Sequence, residues 1–259
     1  MEISVSHPLP AASGSDLQVP SPFDDLNKNL YNLKYDRNYL GMRMQMFKTR
    51  PLIKAILIFL SCWVSVIVLL CVLYFGWLRN WQMTWGATDL EVCRYMAGDE
   101  LINKPDFNAT RAVQINATPQ QVWPWIVQMG SGRGGFYNFD HLDNKGMPSA
   151  ERIIPEYQDL KVGGLIIPLL QVVEIKPYKS MLWVFLKGAG GWENATWSWG
   201  LYETENGSTR LITRLRQKYT FHSLLEIVMW GFQDVTEIFM MRTSLLRSKR
   251  RVENYRKQK

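Results

Sequence analysis

The chain has 259 residues, 47% of them apolar, which excludes a solvated coil over most of its length. A mean hydropathy of -0.16 excludes a bundle of membrane spans, which would lift that average well above zero. Three cysteines and three histidines, with a net charge of +7, leave little material for a disulfide framework or a cysteine-only zinc site. In chain order, residues 1–28 carry Pro8, Pro10, Pro20 and Pro22 among serines and acids without periodicity. They predict a disordered cytoplasmic tail, extended over residues 1–50. Residues 55–78 then form a 24-residue run without a charge. As a helix it is roughly 36 Å long, enough for about 30 Å of hydrocarbon with some tilt. A soluble core helix keeps a polar face, and a cleavable signal is shorter and lies nearer the start. One uncleaved transmembrane helix over 52–79 is therefore expected. Arg43, Lys48, Arg50 and Lys54 precede the run within 15 residues, and Arg79 alone follows within 15. That bias predicts a single-pass protein of the cell membrane, N-terminus cytoplasmic and C-terminal domain extracytoplasmic. Tyr74, Trp77, Trp81 and Trp85 suit an aromatic belt at the exit.

Residues 88–259 remain, enough for one core. Residues 111–116 alternate as a strand with Val113 and Ile115 on one face. Thr118 then suits a helix N-cap, with Pro119 at the first helical position and Gln121 three residues past the cap. That helix carries Val122, Trp123, Trp125, Ile126 and Met129, with Pro124 in its first turns. Residues 165–174, 181–186, 196–203 and 209–219 read as strands. Asn206-Gly207 marks a hairpin turn in which both residues accept positive φ. Trp197, Trp199 and Leu201 share one face, and Leu211 and Leu215 share another; Arg210, Arg214 and Arg216 alternate to a side expected to be solvated. An antiparallel meander with an apolar face needs a covering helix. Val228, Phe232, Val235, Phe239, Leu245 and Leu246 supply one at steps near three and four. Glu226, Asp234 and Glu237 oppose a second span over 223–241, because each costs about 2.5–3.5 kcal/mol near a bilayer centre.

Four blocks bear a resemblance: Val122-Trp-Pro-Trp-Ile-Val-Gln-Met-Gly130, Gly132-Arg-Gly-Gly-Phe-Tyr137, Asp140-His-Leu-Asp-Asn144 and Ser149-Ala-Glu-Arg-Ile153. Over residues 109–256 the chain resembles the START-like, helix-grip (SRPBCC) superfamily, in its bacterial polyketide cyclase/dehydrase-like branch. The resemblance implies an α+β fold in which a curved antiparallel sheet wraps a long C-terminal helix around an apolar cavity. It further implies lipid carriage, hydrophobic-ligand binding or cyclase-like chemistry.

Gly130-Ser-Gly-Arg-Gly-Gly135 matches a dinucleotide fingerprint literally, but a helix precedes it and no βαβ pattern follows. A flexible loop at the cavity mouth is the better expectation. Arg133, Tyr137, Asp140, His141, Asp143 and Asn144 crowd an irregular stretch. They read either as a site that orients a ligand, with Tyr137, Asp140 or His141 as weak catalytic candidates, or as buried bonds such as Arg133 with Asp140 or Asp143. One local histidine is too few for a metal, so neither a metal nor a cofactor is expected. Trp183, Trp192, Trp197 and Trp199 suit a core or an aromatic-lined cavity. The expected ligand-binding set is Trp125, Met129, Arg133, Phe136, Tyr137, Trp183, Trp197, Trp199, Phe232 and Phe239. The tail from 242 to 259 holds eight basic residues against Glu253. It suits the helix dipole or anionic lipid head groups; no nucleic-acid motif accompanies it. The function expected is a membrane-anchored binder of a lipid or other hydrophobic small molecule. A cyclase/dehydrase-like enzyme and a tethered interaction domain with a filled core are the alternatives.

Overall fold

The computed structural model describes residues 22–188, 193–220 and 224–257, which fall into two units divided between Leu69 and Leu70. The first unit is helical wherever it is described. Helix α1 runs Pro22–Leu73, opening on a proline whose missing N–H would be unsatisfied there anyway. This corrects the expected disordered tail over residues 22–50. No proline interrupts the chain between Pro22 and Pro51, and leucine, lysine, arginine and methionine recur through it as helix formers. Residues 1–21, the rest of that expected tail, lie outside the described residues. The helix Arg50–Met83 is long and apolar enough to cross a membrane.

In the second unit that helix passes through a π-helical turn at Tyr74–Leu78 and ends as α2, Arg79–Met83. A short α3, Asp89–Cys93, follows, opened by Thr88 and Glu91: the Glu91 N–H donates to Thr88 Oγ1 and the Thr88 N–H to Glu91 Oε2. The six strands are β1 (Phe107–Ile115), β2 (Leu165–Ile167), β3 (Leu170–Lys176), β4 (Ser180–Phe185), β5 (Ala195–Glu203) and β6 (Thr209–Gln217). They form one antiparallel sheet in the order β1-β6-β5-β4-β3-β2. The strand expected over 165–174 is two strands, because Pro168 cannot donate to a ladder and the chain turns there. Helix α4, Pro119–Val127, starts as its sequence predicts, with Gln121 Oε1 accepting the Thr118 N–H at 3.0 Å. A short α5, Asp140–Asp143, and helix α6, Leu224–Lys257, complete the unit.

One sheet face is the core. Trp197, Trp199 and Leu201 stand directly opposite Leu215, Thr213 and Leu211, and Trp125, Trp183 and Trp199 are fully buried with Met241 and Leu245 of α6. Each such tryptophan removes about 150–250 Å² from water, at most about 4–6 kcal/mol. The other face is covered as well, which corrects the expected solvated arginines. Arg214 is buried and donates to Thr110 Oγ1, to Asp99 Oδ2 and to the carbonyls of Glu91, Val92 and Arg94. Arg216 shares Asp99, and Arg210 pairs with Glu91. The guanidiniums bind a segment whose carbonyls and acids the sheet pattern alone does not reveal.

The basic C-terminal helix likewise turns inward. Arg251 donates to Ala150 O at 2.8 Å and to Glu151 at 2.6 Å and lies over the Tyr137 ring. Arg247 bonds Asn138 O, and Lys249 reaches Gln114 O at 2.7 Å.

Candidate ligand-binding site

Between α6 and the sheet lies a cleft of about 320 Å³. Helix α6 contributes Gln233, Thr236, Glu237, Met240, Met241 and Ser244, a set recurring at three and four residues that a helix places on one side. The sheet contributes Ile167, Leu170, Phe185, Trp197 and Leu215, one or more from each of β2 to β6. The segment after α4 closes it with Phe136, Asn138 and Asp143. Phe136 stacks on Trp197 with centroids 5.9 Å apart and planes at 16°, and the Trp197 indole donates to Thr213 Oγ1 at 2.8 Å. Trp183 and Trp199 back Trp197 with centroids at 5.1 and 5.4 Å. This aromatic bed is rigid and apolar, suited to a hydrophobic ligand.

Most polar groups at the cleft already have partners. Ser244 Oγ donates to Phe136 O at 2.6 Å, Thr236 Oγ1 to Phe232 O at 3.0 Å, and Gln233 Nε2 to Gln217 Oε1 at 3.0 Å. Glu237 is ion-paired with Arg111, which is 1% exposed on β1 and also donates Nε–H to Gln82 O at 2.7 Å. Asp143 differs. Its Oδ1 is buried and has no hydrogen-bond partner among the described residues. Burial, with the Asp140 carboxylate adding, pushes its carboxyl up to about 6 against a hydrogen bond from Asn138. The cleft thus offers apolar walls and one carboxyl that exchanges a proton near neutrality.

Of the expected ligand-binding residues, Phe136 and Trp197 line this cleft. Trp125, Met129, Tyr137, Trp183 and Trp199 are packed in the core behind it. Arg133 is tied to backbone instead of to Asp140 or Asp143: its guanidinium donates to the carbonyls of Val127, Met129 and Tyr157. The Val127 carbonyl ends α4, where the helix leaves acceptors free. Phe232 and Phe239 point outward, 66% and 62% exposed. The cause is helix phase. Asp234 and Glu237 stand roughly 140–200° around the axis from Phe232, and their partners Arg79 and Arg111 hold that side against the domain.

The weak catalytic candidates lie elsewhere too. The Tyr137 hydroxyl donates to Trp125 O at 2.9 Å and accepts from Gln128 at 3.0 Å, and burial pushes its phenol well above the ordinary range. Asp140 accepts from Ser149 Oγ at 2.5 Å, and His141 is on the surface. Among the described residues no group of His, Cys, Asp or Glu side chains is placed to hold a metal. Trp192 lies outside the described residues. The cleft residues that the sequence reading missed include Asp143, which stood undistinguished in its polar cluster. Met240, Met241 and Ser244 continue the helical spacing from Glu237 and were legible by that signal.

The glycine segment is not a flexible mouth. Gly130 and Gly135 bond each other as a closed antiparallel bridge, and a side chain at either would meet Ile166 O at 2.3 Å or Ser149 Oγ at 2.2 Å. Asn144 Oδ1 closes the turn by accepting the Gly132 N–H at 2.9 Å.

No family model matches the chain, and no curated protein matches it. Among solved structures, it is similar to a Polyketide_cyc-like protein of Corynebacterium glutamicum, at 16% identity and a TM-score of 0.37, over 59% of this chain and 94% of that one. A protein of Nitrosomonas europaea shares 10% identity at a TM-score of 0.36, over 57% and 96% of the respective chains. The Aha1 dimer of Colwellia psychrerythraea shares 12% at 0.28, over 53% and 92%.

Proposed function

We propose that this protein is a membrane-anchored binder of a lipid or other hydrophobic small molecule, held between the sheet and α6 of a helix-grip domain. The helix Arg50–Met83 is the single-pass anchor, and the domain at 88–259 faces the extracytoplasmic side. The observation that carries the reading is the cleft of about 320 Å³ with its aromatic and methionine walls. Its volume falls at the lower end of the ~300–1,000 Å³ typical of ligand pockets. Enclosing about 300 Å² of apolar ligand surface yields roughly 7 kcal/mol before the costs of association. Asp143 and Asn138 orient a polar end at the rim.

The test uses the full chain in lipid nanodiscs with a diazirine-bearing fatty acid. Photolysis is expected to label peptides containing 136–143 or 233–244, and Thr236→Trp, which fills the cleft, to abolish that labelling. Adducts confined to the 50–83 helix would defeat the reading.

Asp143 supports a second reading, acid–base catalysis on the bound molecule, because a carboxyl titrating at about 6 is poised for proton transfer near neutral pH. Asp143→Asn separates the two: a binder keeps its cleft adduct, and a catalyst keeps the adduct while losing turnover.

A further inference from the structure

We infer that the outward face of α6 lies in the lipid interface, so that the helix walling the cleft is itself a membrane-contacting element. The inference rests on the reading that Arg50–Met83 crosses the bilayer. Leu225, Val228, Phe232, Val235 and Phe239 follow one another at steps of three and four residues, forming a stripe about 21 Å long. All five side chains are exposed. A contiguous apolar surface of this extent is uncommon on a protein bathed by water alone.

The span itself says what covers the stripe. Arg79 is the first charge after the charge-free run, which sets it at head-group depth. Its Nε–H donates to Asp234 Oδ2 at 2.7 Å, and Gln82 Nε2 donates to Asp234 O at 2.8 Å. Asp234 lies in the middle of the stripe's length, on the opposite side of the helix. Residues at the middle of α6 are therefore held at the depth of Arg79, with the apolar stripe turned away from the domain. Trp77 and Trp81, exposed on the same exit segment, are the side chains that favour a membrane–water interface. The charges on α6 from Leu225 to Met241 are Glu226, Asp234 and Glu237; Asp234 and Glu237 are paired within the domain, and Glu226 stands roughly 140° around the axis from the centre of the stripe, so none lies on the apolar face. A helix with one apolar face and such neighbours lies in the plane of the interface. Gln233, Thr236 and Met240 border the stripe and line the cleft, so the cleft's rim adjoins the bilayer.

The test places an environment-sensitive fluorophore on single cysteines of the full chain, with Cys62, Cys71 and Cys93 replaced by alanine, in vesicles containing shallow and deep spin-labelled lipids. A label at Phe232→Cys is expected to be quenched by the shallow lipid at least threefold more than a label at Asn206→Cys. Asn206 is in the β5–β6 turn, about 30 Å along the strands from the end of β6 near α6. A label at Val66→Cys reports the span through the deep lipid. Quenching at Val66 with none at Phe232 overturns the inference and leaves the anchor standing. Absence of quenching at both overturns the anchor and the inference with it. Quenching at Phe232 alone keeps the interfacial helix and removes the span.

Discussion

Asp143 holds its carboxyl where water is half excluded and where Asp140 adds a second negative charge, so its titration moves from the ordinary 3.8 to about 6. The folded state therefore prefers the protonated form. Below about pH 3.8 the group is protonated folded and unfolded alike and contributes no difference. As pH rises from there toward 6 the unfolded chain ionises first, and the wild type loses stability until the folded carboxyl ionises too. Asp143→Asn removes that loss. The melting temperature of the variant is expected to lie closest to that of the wild type at pH 4, and the gap to widen with pH to a constant margin above about pH 6.5. Thermal melts of both full-length proteins from pH 4 to 8 check it; a gap independent of pH would exclude titration of this carboxyl. Tyr137 is the contrasting case: its hydroxyl is committed to Trp125 O and Gln128 and its ring lies under Arg251, which makes it a structural tie.

The 130–135 loop shows how an element can be read correctly in place and wrongly in character. Six residues containing four glycines suggest freedom, yet Gly130, Gly132 and Gly135 adopt positive φ and two of them touch neighbours at distances no Cβ tolerates. Gly132→Ala has open space and is expected to cost about 1 kcal/mol in backbone strain. Gly130→Ala meets a backbone carbonyl and is expected to cost at least about 2 kcal/mol. Urea titration of the two variants distinguishes this from a mobile loop, in which both would be mild and equal. Local chemistry made several elements legible: the Thr118-Pro119 helix start and the strands at 111–116, 196–203 and 209–219. Contacts distant in sequence decided the rest. Asn206-Gly207 does mark the hairpin, but Gly207 alone of the pair takes positive φ, because the loop is five residues long, from Thr204 to Ser208. The phase of α6 was misread because apolar spacing was weighed without the partners of Asp234 and Glu237. Phe136 and Trp197, two of the expected residues, line the cleft, and Asp143 was not singled out; no pattern in one chain marks which of six polar neighbours keeps a buried oxygen unpaired.

Two ion pairs join the sheet, α6 and the exit of the apolar helix: Arg111 with Glu237, and Arg79 with Asp234. Both cross more than a hundred residues of sequence, so they form only once the sheet has closed and α6 has docked. Arg111 also holds the carbonyl of Gln82, and Gln82 holds Asp234, which makes the two pairs one connected network. Such a network adds less net stability than its bonds suggest, since each charge gives up water to enter it. What it fixes is the rotation of α6, and with it which residues face the cleft. Glu237→Leu strands the Arg111 guanidinium in the core and is expected to cost about 3–5 kcal/mol. Arg111→Met together with Glu237→Leu removes both charges and is expected to recover most of that loss. Chemical denaturation of the two variants gives the stabilities, and fatty-acid photolabelling of 233–244 reports whether the cleft face is still presented. A double variant as unstable as the single one would mean that the pair, and not the cost of leaving one charge alone, is what the fold depends on. A stable double variant whose cleft labelling falls would separate stability from orientation and assign the network to the latter.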